Sequence, residues 1–145
     1  RGPLETYPDC KEGNAIGCWE KNVEDFYFPY VLPQETGNHE DTRWAAFVTE
    51  AGNGICIASD KEFSFGALHY TQENLTQATH TNELHRTENI QLSVDYAQHG
   101  LGSASWGAEC LEKDKLYPEP FTFTWKIFGT EKESLAERAE QYRRK

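Results

Sequence analysis

Two stretches alternate apolar and polar residues with a period of two. Ile90, Leu92, Val94 and Tyr96 alternate with Gln91, Ser93 and Asp95, and Phe121, Phe123 and Trp125 alternate with Thr122, Thr124 and Lys126. This period places every second side chain on one face of a pleated strand. Phe63, Phe65, Ala67 and His69 repeat the pattern against Ser64, Gly66, Leu68 and Tyr70. Arg43 to Thr49 and Gly54 to Ser59 read as two further strands, and Asn53-Gly54 between them is a strong hairpin signal. Phe26-Tyr27-Phe28 and Tyr30-Val31-Leu32 have strand composition but are interrupted by Pro29 and stopped by Pro33, which predicts an edge or bent strand. The sum is five to seven short strands with close turn signals, an all-β antiparallel β-sandwich. No alternation of strands and helices supports a parallel sheet.

Helix signals are few. Thr71 is a plausible N-cap for a short turn through Ala78, with Gln72 and Glu73 in its first turn. Beyond Gly129 the composition becomes strongly charged. Thr130 with Glu133 reads as a capping box, and Arg143-Arg144-Lys145 suits a helix C-terminus. The chain therefore divides into residues 1–129, a β-rich domain, and 130–145, a charged helix or tail with few apolar positions.

Composition narrows the function classes. The 145 residues carry 24 acidic against 14 basic side chains, a formal net charge of -10. An acidic chain repels phosphate backbones, and there is no basic stripe, which argues against nucleic acid as a partner. The longest apolar run is Trp44 to Val48, too short to cross a membrane as a helix. Eight Phe, seven Tyr and four Trp predict a packed core. Cys10, Cys18, Cys56 and Cys110 form no C-x-x-C pair and have no histidine at zinc-ligand spacing, so free thiols and no metal site are expected. The absence of Met and the abrupt Arg1-Gly2-Pro3 start suggest a piece of something longer.

Catalytic signatures are weak. A glycosidase needs two carboxylates roughly 5–10 Å apart, and none of the acids stands in an apolar setting by sequence. No nucleophile elbow occurs, and Gly100-Leu101-Gly102 lacks the third glycine of a dinucleotide loop. Trp106, in the glycine- and serine-rich stretch 100–107, reads two ways: a plug for the end of a sandwich, or a platform for the apolar C–H face of a pyranose.

Several motifs carry a resemblance. Arg1-Gly2-Pro3-Leu4-Glu5-Thr6-Tyr7-Pro8-Asp9 resembles the R-G-P-x-E-x-Y-x-D stretch near the C-terminal end of the large β-galactosidases of glycoside hydrolase family 2. Tyr30 to Asn38 resembles their Y-V-x-P-x-E-x-G-N, and Asp95-Tyr96 with Gly100-Leu101-Gly102 and Ser105-Trp106 resembles D-Y-x-x-x-G-x-G-x-x-S-W. Further matches run in the same order from Asp41-Thr42-Arg43-Trp44 to Tyr117–Phe128, so the resemblance covers about residues 1 to 128.

The resemblance implies the C-terminal part of the enzyme's last domain, a large β-sandwich related to galactose mutarotase, truncated at its N-terminal side. It implies a retaining β-galactosidase that cleaves terminal β-D-galactosides such as lactose. The two catalytic glutamates would lie in a barrel absent here, leaving no catalytic residue on this chain. The full enzymes often need Mg or Na ions, with none expected on this chain, and the other domains or subunits of a cytoplasmic homo-oligomer would be its partners. The last domain in the family lends an aromatic residue to the sugar site. Residues 50–62, where that residue is expected, hold no Trp, Tyr or Phe, leaving Trp106 and Trp44 as substrate-facing candidates. Arg1, Glu5, Tyr7, Asp9, Glu35 and Asp95 are motif residues of unassigned role. Cys10 stands where many members have Arg. A stand-alone carbohydrate-binding module and a non-catalytic small subunit are the rival readings.

Overall fold

The computed structural model describes residues 1–102 and 109–144. They form an antiparallel sheet of four strands, β1 (His39–Val48), β2 (Asn53–Leu68), β3 (Gln91–Asp95) and β4 (Trp125–Glu131), with two short α-helices, α1 (Gln72–Gln77) and α2 (Leu135–Arg143). The order is β1-β2-β3, and β4 also pairs with β2. The chain is thus all-β with a short C-terminal helix, as its alternation predicts. Its described strands lie in one open sheet.

The residues divide into two compact units. Unit 1 holds Arg1–Glu40 and Ser64–Leu116; unit 2 holds Asp41–Phe63 and Tyr117–Lys145. In unit 1, the second half of β2 pairs with β3, Ser64 opposite Asp95 and Leu68 opposite Gln91. In unit 2, the first half pairs with β4, Asn53 opposite Glu131 and Ser59 opposite Trp125. The two apolar stretches around Gly54–Ser59 and Phe63–His69, which read as separate strands, are therefore one strand of 16 residues.

Unit 1 is centred on Tyr7, Leu75 and Ala67, all nearly inaccessible. Helix α1 forms as expected: the Thr71 side chain accepts from the Asn74 amide, and Leu75 is the buried residue. The segment around Pro29 and Pro33 departs from expectation. Val23–Phe26 is a single 3₁₀ turn, and no strand follows it. Two prolines remove ladder donors, so the amides left there find local or side-chain partners. Phe28 N donates to Thr36 Oγ1 at 3.0 Å and Tyr30 N to the Phe28 carbonyl at 2.9 Å. Strand β3 also differs, because Ile90, Leu92 and Tyr96 are more than a third exposed where the alternation predicts a covered face.

In unit 2 the β1–β2 turn falls two residues early. Gly52 takes the left-handed conformation (φ 85°) that a tight turn demands. Its amide and that of Thr49 close the turn, and Asn53-Gly54 begin β2. Strand β4 starts at Trp125, so Phe121 and Phe123 precede it, and it runs through Thr130 and Glu131. The expected capping box is therefore absent: Thr130 is a strand residue, and a 3₁₀ turn (Lys132–Ser134) separates it from α2. That helix seats on its own unit's sheet. Tyr142 stacks on Phe128 with centroids 4.0 Å apart, Ala139 is fully buried, Lys126 Nζ donates to the Tyr142 carbonyl, and Arg143 Nε donates to the Ser59 carbonyl.

Candidate functional site

Unit 1 gathers Arg1, Glu5, Tyr7, Asp9, Glu35 and Asp95. Trp44 is half-buried in β1 and belongs to unit 2, and Trp106 lies outside the described residues.

The centre of the arrangement is Glu5. Its Oε2 accepts from Gly37 N at 2.7 Å and from Thr36 Oγ1 at 3.0 Å, while the Tyr30 hydroxyl donates to Oε1. Gly37 has a positive φ (76°), and a Cβ there would stand 2.6 Å from the Phe26 carbonyl oxygen, so the clamp requires glycine. One carboxylate thereby folds the proline-rich segment back onto the N-terminal stretch. Asn38 continues the seam: its carbonyl accepts from Thr6 N at 2.7 Å, and its Nδ2 donates to the Thr6 carbonyl at 2.8 Å and to Glu40 Oε1 at 3.1 Å. Gln98 Nε2 reaches both Asn38 Oδ1 at 3.3 Å and Asp95 Oδ2 at 3.2 Å.

Arg1 and Asp9 hold backbone. The Arg1 amino group donates to the Glu40 carbonyl, and its Nη1 donates to the Asn14 carbonyl at 3.1 Å. Asp9 accepts from Leu101 N at 3.2 Å and Gly102 N at 2.8 Å, fixing the chain as it enters 103–108.

The electrostatics of this corner are acidic. Glu35 is exposed, yet desolvation and then the charges of Asp95 and Glu5 hold its carboxyl above the usual range. Burial, followed by the charges of Glu35 and Glu5, pushes the Tyr7 hydroxyl far above its ordinary value. Sequence reasoning finds its acids through the motifs but misses Gln98, which falls at an unspecified position of the D-Y-x-x-x-G-x-G-x-x-S-W match. Tyr30 and Asn38 are letters of the Y-V-x-P-x-E-x-G-N match, so the motif itself was the signal for them, while Thr36 falls at one of its unspecified positions.

His39 sits beside this seam, only 5% exposed, with Nδ1 donating to the Arg1 carbonyl at 2.9 Å. Phe26 meets its ring edge-on and Phe65 stacks on it, with centroids at 5.1 and 5.5 Å. Burial pulls its pKa down to about 4 from 6.5. The folded state therefore stays neutral at pH values where the unfolded chain takes up a proton. Stability should be intact above about pH 6.5 and fall as pH drops to about 4, by roughly 3 kcal/mol in all. Urea unfolding at stepped pH reads this directly. His39→Asn, which keeps a donor for the Arg1 carbonyl, should flatten that part of the profile.

Comparison with known proteins agrees with the motifs. The family model described as the β-galactosidase small chain matches residues 1–127. The β-galactosidase BgaC of Bifidobacterium adolescentis is 38% identical over 119 residues, covering 79% of this chain and 11% of the relative. The β-galactosidase of Staphylococcus xylosus is 32% identical over 127 residues, covering 88% and 13%. That of Kluyveromyces lactis is 34% identical over 129 residues, covering 88% and 12%. The chain thus spans about an eighth of the length of these relatives. With nearly every residue before β4's midpoint inside the match, the chain belongs to the β-galactosidase small-chain family.

Proposed function

We propose that this chain is the small-chain domain of a retaining β-galactosidase acting on terminal β-D-galactosides such as lactose. It walls one side of the sugar site and supports assembly of a homo-oligomer, while the catalytic glutamates lie in polypeptide outside it. The observation that carries this reading is the family match over residues 1–127, together with similarity to enzymes about seven times its length. The site geometry supports a structural part: Glu5 is saturated by three donors and Asp9 by two amides, so both hold backbone in place.

In this reading residues 1–129 are part of the family's sandwich, whose second sheet comes from outside the chain, and 130–145 are an appended segment. Trp106 and Trp44 are the aromatics assigned to the sugar side. Any Mg or Na ion acts with the catalytic part. A cytoplasmic setting is supported by four free cysteines; no helix among the described residues is long and apolar enough to cross a membrane.

The test is an assay of the isolated chain on a chromogenic β-galactoside. No turnover above buffer is expected, and activity should appear when the remaining polypeptide of the enzyme is added. Clear turnover by the chain alone would overturn the reading.

A further inference from the structure

Asp9 joins two distant stretches of unit 1. Its Oδ1 accepts from Leu101 N at 3.2 Å and its Oδ2 from Gly102 N at 2.8 Å, across 92 and 93 positions of sequence. Among the described residues these two amides are the only hydrogen-bond partners of its carboxylate. An ionised acceptor with both oxygens engaged holds backbone more firmly than a neutral one.

The chain returns to the same place at Cys110. A Cβ at Gly100 would stand 2.9 Å from the Cys110 Cβ and 3.1 Å from both the Asp114 Cβ and the Asp9 Cγ, so all three residues crowd around that glycine. The Gly100 amide donates to the Asp114 carbonyl at 2.8 Å. Cys110 is buried and is met by His99. His99 Nδ1 accepts from Leu116 N at 3.0 Å, which leaves the proton of the neutral ring on Nε2, 3.3 Å from Cys110 Sγ. The two ends of the stretch 103–108 are therefore anchored at one point, Leu101 and Gly102 by Asp9, and Cys110 by Gly100 and His99. Between them run Ser103-Ala104-Ser105-Trp106-Gly107-Ala108, in which Trp106 is the one large side chain. Anchors of this kind decide where a residue carried between them stands, and a displacement of about 1 Å is enough to lose a productive contact.

We infer that Asp9 is a positioning residue of the sugar side: through the Leu101 and Gly102 amides it sets where Trp106 meets a galactoside in the assembled β-galactosidase. This rests on the reading that Trp106 faces the sugar. Asp9 acts through backbone and touches no substrate.

The test is a double-mutant cycle in the complete β-galactosidase containing this domain, with o-nitrophenyl β-D-galactopyranoside as substrate. Trp106→Ala should raise KM about tenfold, the size of one lost ring-face contact. Asp9→Asn should raise KM about fivefold and leave kcat within about twofold, because placement for binding is lost while the catalytic glutamates outside this chain are untouched. The double variant should be no worse than Trp106→Ala alone, since a residue acting through Trp106 has nothing left to place once the ring is gone. In the 145-residue chain, amide exchange at Leu101 and Gly102 should quicken in Asp9→Asn while far-UV circular dichroism stays unchanged. Asp9→Glu, which keeps both acceptor oxygens, is the second route if Asp9→Asn does not fold; its KM should rise by about twofold, and that rise should vanish against Trp106→Ala. KM effects that multiply in the double variant, or a fall in kcat in place of the rise in KM, would give Asp9 a purely structural part and overturn the inference. An unchanged KM in Asp9→Asn beside a raised one in Trp106→Ala would do the same. An unchanged KM in Trp106→Ala would sink the sugar-side reading of that residue and this inference with it, so the two failures are told apart.

Discussion

Gly54→Ala is expected to unfold unit 2 or cost it on the order of 4 kcal/mol, beyond the usual range for overpacking a core. A Cβ at Gly54 would stand 2.0 Å from the Phe47 carbonyl oxygen and 2.7 Å from the Val48 Cα. Both obstacles are backbone of β1, so no side-chain rotation removes the clash. The two strands would have to separate where they leave their turn, and the β2–β4 ladder that begins at Asn53 and Gly54 would be disturbed with them. The glycine is needed for close approach of two chains. Urea unfolding followed by tryptophan fluorescence checks it, with Gly13→Ala as the control, since a Cβ there meets nothing within 4 Å. Equal midpoints for the two variants would refute the account.

Glu5→Ala should cost about 4 kcal/mol, in line with three hydrogen bonds to a charged acceptor at roughly 1.5–3 kcal/mol each, offset by partial solvent access. The change strands the Gly37 amide and the hydroxyls of Thr36 and Tyr30, all now held by that carboxylate. Residues 27–37 form no strand of their own, so no ladder hydrogen bonds hold them in its place. The loss should be local before it is global. Amide exchange at Gly37 is expected to quicken far more than at β2 residues such as Ala67, and a protease should cut near Val31, which is 97% exposed already. Glu5→Gln, which keeps one acceptor oxygen, should lose about half as much. Uniform quickening across unit 1 would count against a local clamp.

The strands came through the sequence wherever alternation was backed by pairing. Ile90–Tyr96 and the stretch around Trp125 each contain a real strand. Alternation alone misplaced the burial of β3, because Ile90, Leu92 and Tyr96 keep more than a third of their surface exposed. The Asn53-Gly54 signal located the hairpin but not its turn, since Gly52 takes the left-handed residue's place. At 26–32, aromatic content argued for a strand and Pro29 with Pro33 against; the prolines won because a ladder needs donors they lack. Of the site, the acids were legible as motif letters. Which residues those acids would meet was not, because Gln98 reaches Asn38 across 60 positions, a contact only the fold creates.

Helix α2 has a consequence for chemical ageing. It lies against Phe128, the strand partner of Cys56, whose side chain is wholly inaccessible and whose thiol burial pushes up to about 11. At neutral pH the reactive thiolate of Cys56 is then present at about one part in ten thousand. Peroxide or disulfide damage on storage falls instead on Cys10 and Cys18, which are exposed in unit 1. A preparation that links into covalent dimers would do so through those two, with the sheet of unit 2 still reduced beneath its helix.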